Sequence, residues 1–271
     1  MPTLVHDGAT IAYTDTGPPG AVADAPTIVF GHGLLFSGWM FRSQIEALRD
    51  AYRCVAIDWR GQGSSPRARG GYDMDSLADD AVELIGKTGT APVHWVGLSM
   101  GGFVGMRIAA RRPDLVRSLV LLDTSADREP LRSTVEDLLL ALIYRVAGIA
   151  PVRRQVEKVM FGPELRSSPD GRATIDEWIA TLSSSERAGI AWAVTAVVTR
   201  KAVSGELGRI SAPTLVATGE HDKPTPPARG RRIAQAIPGA RFELVRGAGH
   251  SSTIEQPDAV TALISDFLAE H

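Results

Sequence analysis

An α/β fold, with a mostly parallel sheet, helices on both faces and an inserted helical lid, is the class the sequence predicts. Three observations predict it. Short apolar, β-branched runs alternate with longer segments of helical period, the pattern of strand–helix–strand units packed in layers. Asp7-Gly8 lies between two alternating stretches near the start and signals a hairpin, so the sheet is expected to open with an antiparallel pair. The alternation then stops once, over 126–207, where helix-like segments follow one another without a strand.

Taken in order, the hairpin covers 4–13 and leads into a loop rich in Gly, Pro and Ala over 17–26. Thr27-Ile28-Val29-Phe30 then reads as a short buried strand, and further strands are expected over 52–57, 93–97, 118–122, 213–218 and 241–245. Helical patterns fill 40–50, 74–87, 101–112, 228–237 and 257–269. Within the strandless block, helices are expected over 133–147, 150–160, 174–182 and 185–203. Helices inserted between two strands of one sheet must lie outside the layers, over an edge. The chain therefore divides into a core, 1–125 with 208–271, and a lid, 126–207.

Composition narrows the function. The 271 residues are 44% hydrophobic, with 29 basic against 31 acidic side chains and a net charge of −2, which argues against binding nucleic acid through phosphate contacts. One cysteine, Cys54, permits no intrachain disulfide and no cysteine-only metal site. No His/Cys/Asp cluster has zinc spacing and no Walker-type loop is present, so neither a metal nor a cofactor is expected. The most apolar stretch, 138–152, is broken by Arg145 and Gly148 and falls short of the ~20 residues that span a bilayer. The opening residues show no basic start, apolar segment or cleavage site, which makes the cytoplasm the expected location and membranes an unexpected partner.

The sharpest motif is Gly97-Leu98-Ser99-Met100-Gly101, placed between a strand and a helix. A nucleophile on such a tight turn has a strained backbone, and side chains two positions either side would collide with it. The serine oxygen is exposed, and the helix that follows points its N-terminus at developing negative charge. Serine needs a base, oriented in turn by a third group. Of six histidines, His250 in Gly249-His250-Ser251, just beyond the last strand, best suits that role. His6 and His271 read as solvated, His94 and His221 as structural, and His32 as a loop anchor. For the orienting acid, Asp222 in the turn Gly219-Glu220-His221-Asp222 is favoured, with Asp123 at another strand end as the rival. Phe30-Gly31-His32-Gly33-Leu34 follows a strand with two glycines, so backbone N–H groups can come close to a ligand. Leu34 N–H and Met100 N–H would together stabilise an oxyanion. Asp58-Trp59-Arg60-Gly61-Gln62-Gly63-Ser64-Ser65 lacks the spacing of a dinucleotide fingerprint and reads as a structural turn.

With these motifs in this order, the chain resembles the α/β-hydrolase superfamily over nearly its whole length. The resemblance rests on the His32-Gly33 loop, the Asp58 to Ser65 turn, the elbow, the Asp222 turn and Gly249-His250. The inserted helices fall where that family carries its lid. Gly97 to Gly102, Ala109 to Pro113 and Thr225-Pro226-Pro227 are similar to serine-nucleophile members of the carboxylesterase, 3-oxoadipate enol-lactonase and cofactor-free perhydrolase type. The family's order Ser, Asp, His implies Ser99, Asp222 and His250.

The expected reaction is transfer of a small ester or lactone acyl group to water, with activity lost below ~pH 6–7 as His250 protonates. A perhydrolase, a C–C bond hydrolase or lyase using the same triad, and a slowly turning-over ligand receptor remain alternatives. Tyr144, Met160, Phe161, Trp178 and Trp192 are the apolar lid residues that could line a pocket, or else pack lid against core. Arg145, Arg153 and Arg154 either hold a substrate carboxylate or are solvated.

Overall fold

The computed structural model describes residues 1–20 and 25–271; residues 21–24 of the loop expected over 17–26 lie outside them. Eight strands form one sheet in the order β1-β2-β4-β3-β5-β6-β7-β8. Strands β1 (Thr3–His6) and β2 (Ala9–Asp15) are the antiparallel hairpin, turning at Asp7 and Gly8 with φ of 48° and 71°. These are the left-handed conformations a two-residue turn requires. β2 pairs antiparallel with β4 (Arg53–Ile57), and all later pairings are parallel: β4 with β3 (Thr27–Gly31), β3 with β5 (Val93–Leu98), β5 with β6 (Val116–Leu122), β6 with β7 (Thr214–Gly219), and β7 with β8 (Arg241–Val245).

Strand side chains alternate between two buried layers. Val29, Val55, Trp95, Leu119 and Val216 face one layer, and Ile28, Cys54, Val96, Val120 and Leu215 face the other. The first layer is closed by α2 (Met74–Thr88), α3 (Met100–Arg111) and α9 (Pro227–Ala236). The second is closed by α1 (Arg42–Leu48) and α11 (Pro257–Ala269). Cys54 is 1% exposed, and burial pushes its thiol up to about 12, so it packs as a small hydrophobe.

Between β6 and β7 the chain makes five α-helices, α4 (Leu131–Ala147), α5 (Arg153–Met160), α6 (Pro163–Ser167), α7 (Pro169–Ser184) and α8 (Arg187–Val198), and then a 3-10 helix over Ser204–Arg209. The two ends of this excursion are tied by Val203 N–H donating to Ala126 O at 2.8 Å. The sequence pattern missed α6 and also α10 (Ser252–Glu255), helices of five and four residues, because one turn shows no apolar period. Among the described residues, no helix is long and apolar enough to cross a membrane.

The sheet's order reverses between β3 and β5, where the chain first builds outward to β4 and then returns. In open parallel sheets the crevice beyond the strand ends at such a point receives ligands. Here it is formed by the loop after β3 and the turn after β5.

Candidate active site

Ser99 sits between β5 and α3 with φ 51° and ψ −107°, in the left-handed half of backbone space that β-carbons disfavour. The neighbouring residues hold it there. Its N–H donates to Leu122 O at 2.9 Å, and its carbonyl accepts Thr124 Oγ1–H at 2.8 Å. The flanking glycines are sterically obligatory: a Cβ on Gly97 would strike Gly101 O, and one on Gly101 would strike Gly31 O.

His250, in the loop between β8 and α10, places Nε2 3.0 Å from Ser99 Oγ. Its Nδ1 lies 3.0 and 3.1 Å from the two carboxylate oxygens of Asp222, which follows β7. An acceptor at Nδ1 assigns the ring proton there and leaves the Nε2 lone pair facing the serine hydroxyl. Asp222 is held by Thr225, whose N–H and Oγ1–H donate to it at 2.9 and 2.7 Å. Thr225 also stands 3.3 Å from His250 Nδ1; spacing alone does not single it out, because its role is to brace the acid. Burial would lower the pKa of His250, but the hydrogen-bonded Asp222 carboxylate, aided by Asp123 and Glu255, lifts it above its ordinary value.

Asp123, the rival acid, ends β6 with φ 46° and is fully buried. It accepts Gly219 N–H at 2.7 Å and Ser252 N–H at 3.2 Å, so it ties the β7 and His250 loops together and makes no bond to the imidazole. Burial and the nearby Asp222 charge push its carboxyl up to about 8.

The loop after β3 supplies backbone donors. Gly33 N–H is spent on Met40 Sδ, Leu35 N–H on Gln62 Oε1 and Gly101 N–H on His32 O. Among the described residues, Leu34 N–H and Met100 N–H have no protein acceptor. His32 shapes this loop as an anchor: Nδ1–H donates to Gly33 O at 2.7 Å, and Nε2 accepts Trp59 N–H at 3.0 Å. Burial holds its pKa below the ordinary value. The turn after β4 is likewise structural, with Asp58 accepting from Gly38 and Ser64 N–H, and Arg60 paired in a fork with buried Asp80.

Ser99 and His250 open onto a cavity of about 390 Å³. One wall is apolar: Tyr144 from α4, Val156 and Met160 from α5, and Ile190 and Val194 from α8. The other end is charged, with Glu129, Asp137, Arg200 and Arg229. Glu129 accepts Arg200 Nη2–H at 3.0 Å. Burial, with Glu129 and Glu136 nearby, pushes Asp137 up to about 6. No sequence motif marks this end, since its members come from separate segments.

Of the five apolar lid candidates, Tyr144 and Met160 line the cavity and three do not. Phe161 and Trp178 cluster with Phe36, at ring separations of 5.1–6.2 Å, and Trp178 Nε1–H donates to Leu35 O at 2.9 Å. They fasten lid to core because Trp178 on α7 and Phe161 at the end of α5 meet the loop after β3, while α7 reaches the cavity only further along, at Leu182. Trp192 packs edge-on against Tyr72 at 5.6 Å and under Arg67, since its side of α8 faces the turn after β4. Arg145, Arg153 and Arg154 are also off the cavity wall; Arg153 pairs with Glu157 and Asp176. Replacing Trp178 by Ala should lower stability by about 3–5 kcal/mol, seen in denaturant unfolding as an earlier midpoint.

The sheet order, elbow and lid position define a hydrolase of the α/β-hydrolase fold. The chain belongs to that family, whose sequence pattern, described as the alpha/beta hydrolase fold, matches residues 26–257. It is 27% identical over 248 residues to the protein named "Putative carbamate hydrolase RutD" of Stutzerimonas stutzeri, covering 91% of this chain and 93% of that one. Among solved structures, it superposes on the enol-lactonase of Burkholderia xenovorans with a TM-score of 0.90 and 29% identity, covering 99% of this chain and 100% of that one. A thermophilic esterase from Thermogutta terrifontis gives 0.88 and 28%, covering 99% and 96%.

Proposed function

We propose that the protein cleaves a small ester or lactone through an acyl-enzyme intermediate on Ser99. The observation that carries this reading is the continuous chain of contacts from Ser99 Oγ through His250 to Asp222, at 3.0 Å per step, opening onto the cavity. Ser99 Oγ attacks the carbonyl carbon while His250 Nε2 takes its proton, and Asp222 stabilises the imidazolium. The oxyanion of the tetrahedral intermediate is received by the free N–H groups of Leu34 and Met100. Collapse breaks the bond to the leaving alkoxide, which takes the proton from His250. Water, deprotonated by the same nitrogen, then adds to the acyl-enzyme and releases the acid with Ser99 restored. In a lactone the alcohol and acid are one molecule.

A carbamate presents the same carbonyl, and the similarity to the RutD protein supports it as a second reading. A multiple-turnover assay over p-nitrophenyl esters of increasing chain length, simple lactones and an aryl carbamate separates the two. Turnover of esters or lactones with kcat/KM well above that for the carbamate supports the first reading, and the reverse order favours the second. Turnover of none of them overturns both.

The base sets a pH limb. A raised His250 pKa means that kcat/KM should fall as pH drops through a midpoint above 6.5, because imidazolium has no lone pair for the serine proton. A rate that stays flat to ~pH 5 would remove His250 from the base role.

A further inference from the structure

One carboxylate joins the loop of the base to the lid. Glu255, buried on α10, accepts Gly162 N–H through Oε2 at 2.7 Å and Ser251 N–H through Oε1 at 3.1 Å. Gly162 lies between α5 and α6, 93 residues earlier in the chain. A second bond runs beside the first, with Ser251 Oγ–H donating to Met160 O at 2.8 Å. Between these bonds the two backbones touch: a Cβ on Gly162 would stand 2.7 Å from Glu255 Oε2 and 2.9 Å from Gly249 N. Gly249 and Ser251 flank His250, and Met160 lines the cavity.

We propose that Glu255 is a positioning residue for His250, whose carboxylate locks the base's loop to the lid segment 160–162 and places a further negative charge behind the imidazole. The inference rests on the triad reading above. Two backbone N–H groups point at the two carboxylate oxygens, an arrangement that suits the ionised form. Burial pushes Glu255 above its ordinary value, against which the backbone N–H groups and the His250 charge pull it down. A carboxylate here favours imidazolium, as do Asp222 from the β7 loop and Asp123 from the end of β6. The other charged groups around the base are Glu220 and Glu164 at Gly247, and Lys223, Arg200, Arg229, Glu129 and Asp137 on the cavity. None of these groups is itself altered by a substitution at Glu255.

Two variants separate charge from fastening. Glu255→Gln keeps the size and one acceptor but removes the charge. Gly162→Ala keeps the charge and forces lid and loop apart. The measurement is kcat and kcat/KM of p-nitrophenyl butyrate from pH 5 to 9, with active sites counted by fluorophosphonate labelling. In Glu255→Gln the midpoint of the acid limb should move down by about half a pH unit or more, and plateau kcat per labelled site should fall about tenfold. In Gly162→Ala plateau kcat should fall similarly with the limb unmoved. An unmoved limb in Glu255→Gln overturns the inference, and so does a wild-type kcat in Gly162→Ala. That second result decides the matter alone if Glu255→Gln does not fold. A wild-type enzyme that neither labels at Ser99 nor turns over would instead overturn the triad reading, so the two failures are distinct.

Discussion

Ser99→Ala is expected to abolish turnover, by about 10⁴-fold or more, while leaving the melting temperature nearly unchanged. The hydroxyl is the only group removed, and its one side-chain partner is His250 Nε2. The backbone at φ 51° is fixed by its bonds to Leu122 and Thr124, which Ala retains along with the same unfavourable β-carbon. Ser99→Gly should be equally inactive yet more stable, by about 1–3 kcal/mol, because glycine occupies that conformation without strain. Ester hydrolysis and thermal unfolding, measured on both variants, check the pair. Undiminished hydrolysis by Ser99→Ala would remove serine from the chemistry. A Gly variant less stable than the Ala variant would show that the elbow is not strained.

Gly101→Ala should have the largest effect on stability. A methyl group there would run into the carbonyl of Gly31 at the end of β3, where Gly101 N–H also donates to His32 O at 3.2 Å. The atoms it meets are all backbone of Gly31, which cannot turn aside as a side chain would, so relief requires α3 to move off the sheet. A loss above about 4 kcal/mol is expected, a large share of the ~5–15 kcal/mol that holds a domain together. Gly86→Ala is the matched control. Gly86 lies inside α2 with open space around its missing β-carbon, and there the same methyl should stabilise by about 1 kcal/mol. Denaturant midpoints of opposite sign for one chemical change would isolate the close approach of α3 to β3 as the cause.

The features legible in the sequence were those written locally. A hairpin turn, an elbow between strand and helix, and a histidine after the last strand each need special residues within a few positions, and those residues carry the pattern. The orientation of the lid helices was not written in this way. α4 carries apolar side chains on both faces: Tyr144 and Leu140 line the cavity, whereas Leu131, Val135 and Leu139 are exposed. Periodicity therefore could not tell inward from outward, and of the two roles open to the lid aromatics, Phe161, Trp178 and Trp192 take the packing one and hold the lid to the core. The charged end of the cavity was illegible for a different reason. Glu129 and Arg200 meet only because the lid returns to its starting point before β7 begins, Arg229 joins them from α9 beyond β7, and no spacing along the chain records that meeting. Asp222 and Asp123 were both offered by strand ends, and only the direction of each side chain separates the one bonded to His250 from the one bonded to backbone.

The hydrogen bond between Val203 and Ala126 makes the lid a side branch of the chain. Everything between those residues departs from and returns to one point, while β6 and β7 pair as neighbours beneath it. An insert of another length would leave that pairing in register, and doubling a flexible loop adds only about 0.6 kcal/mol of closure entropy. The core is thus a socket that tolerates exchange of its cap. A transplanted cap would need to replace the attachments of this one, among them Trp178 to Leu35, Gly162 to Glu255, Met160 to Ser251 and Trp192 against Tyr72. Ser99, His250 and Asp222 all remain on the side that is kept, so substrate range can be remodelled by grafting without touching the groups that make and break bonds.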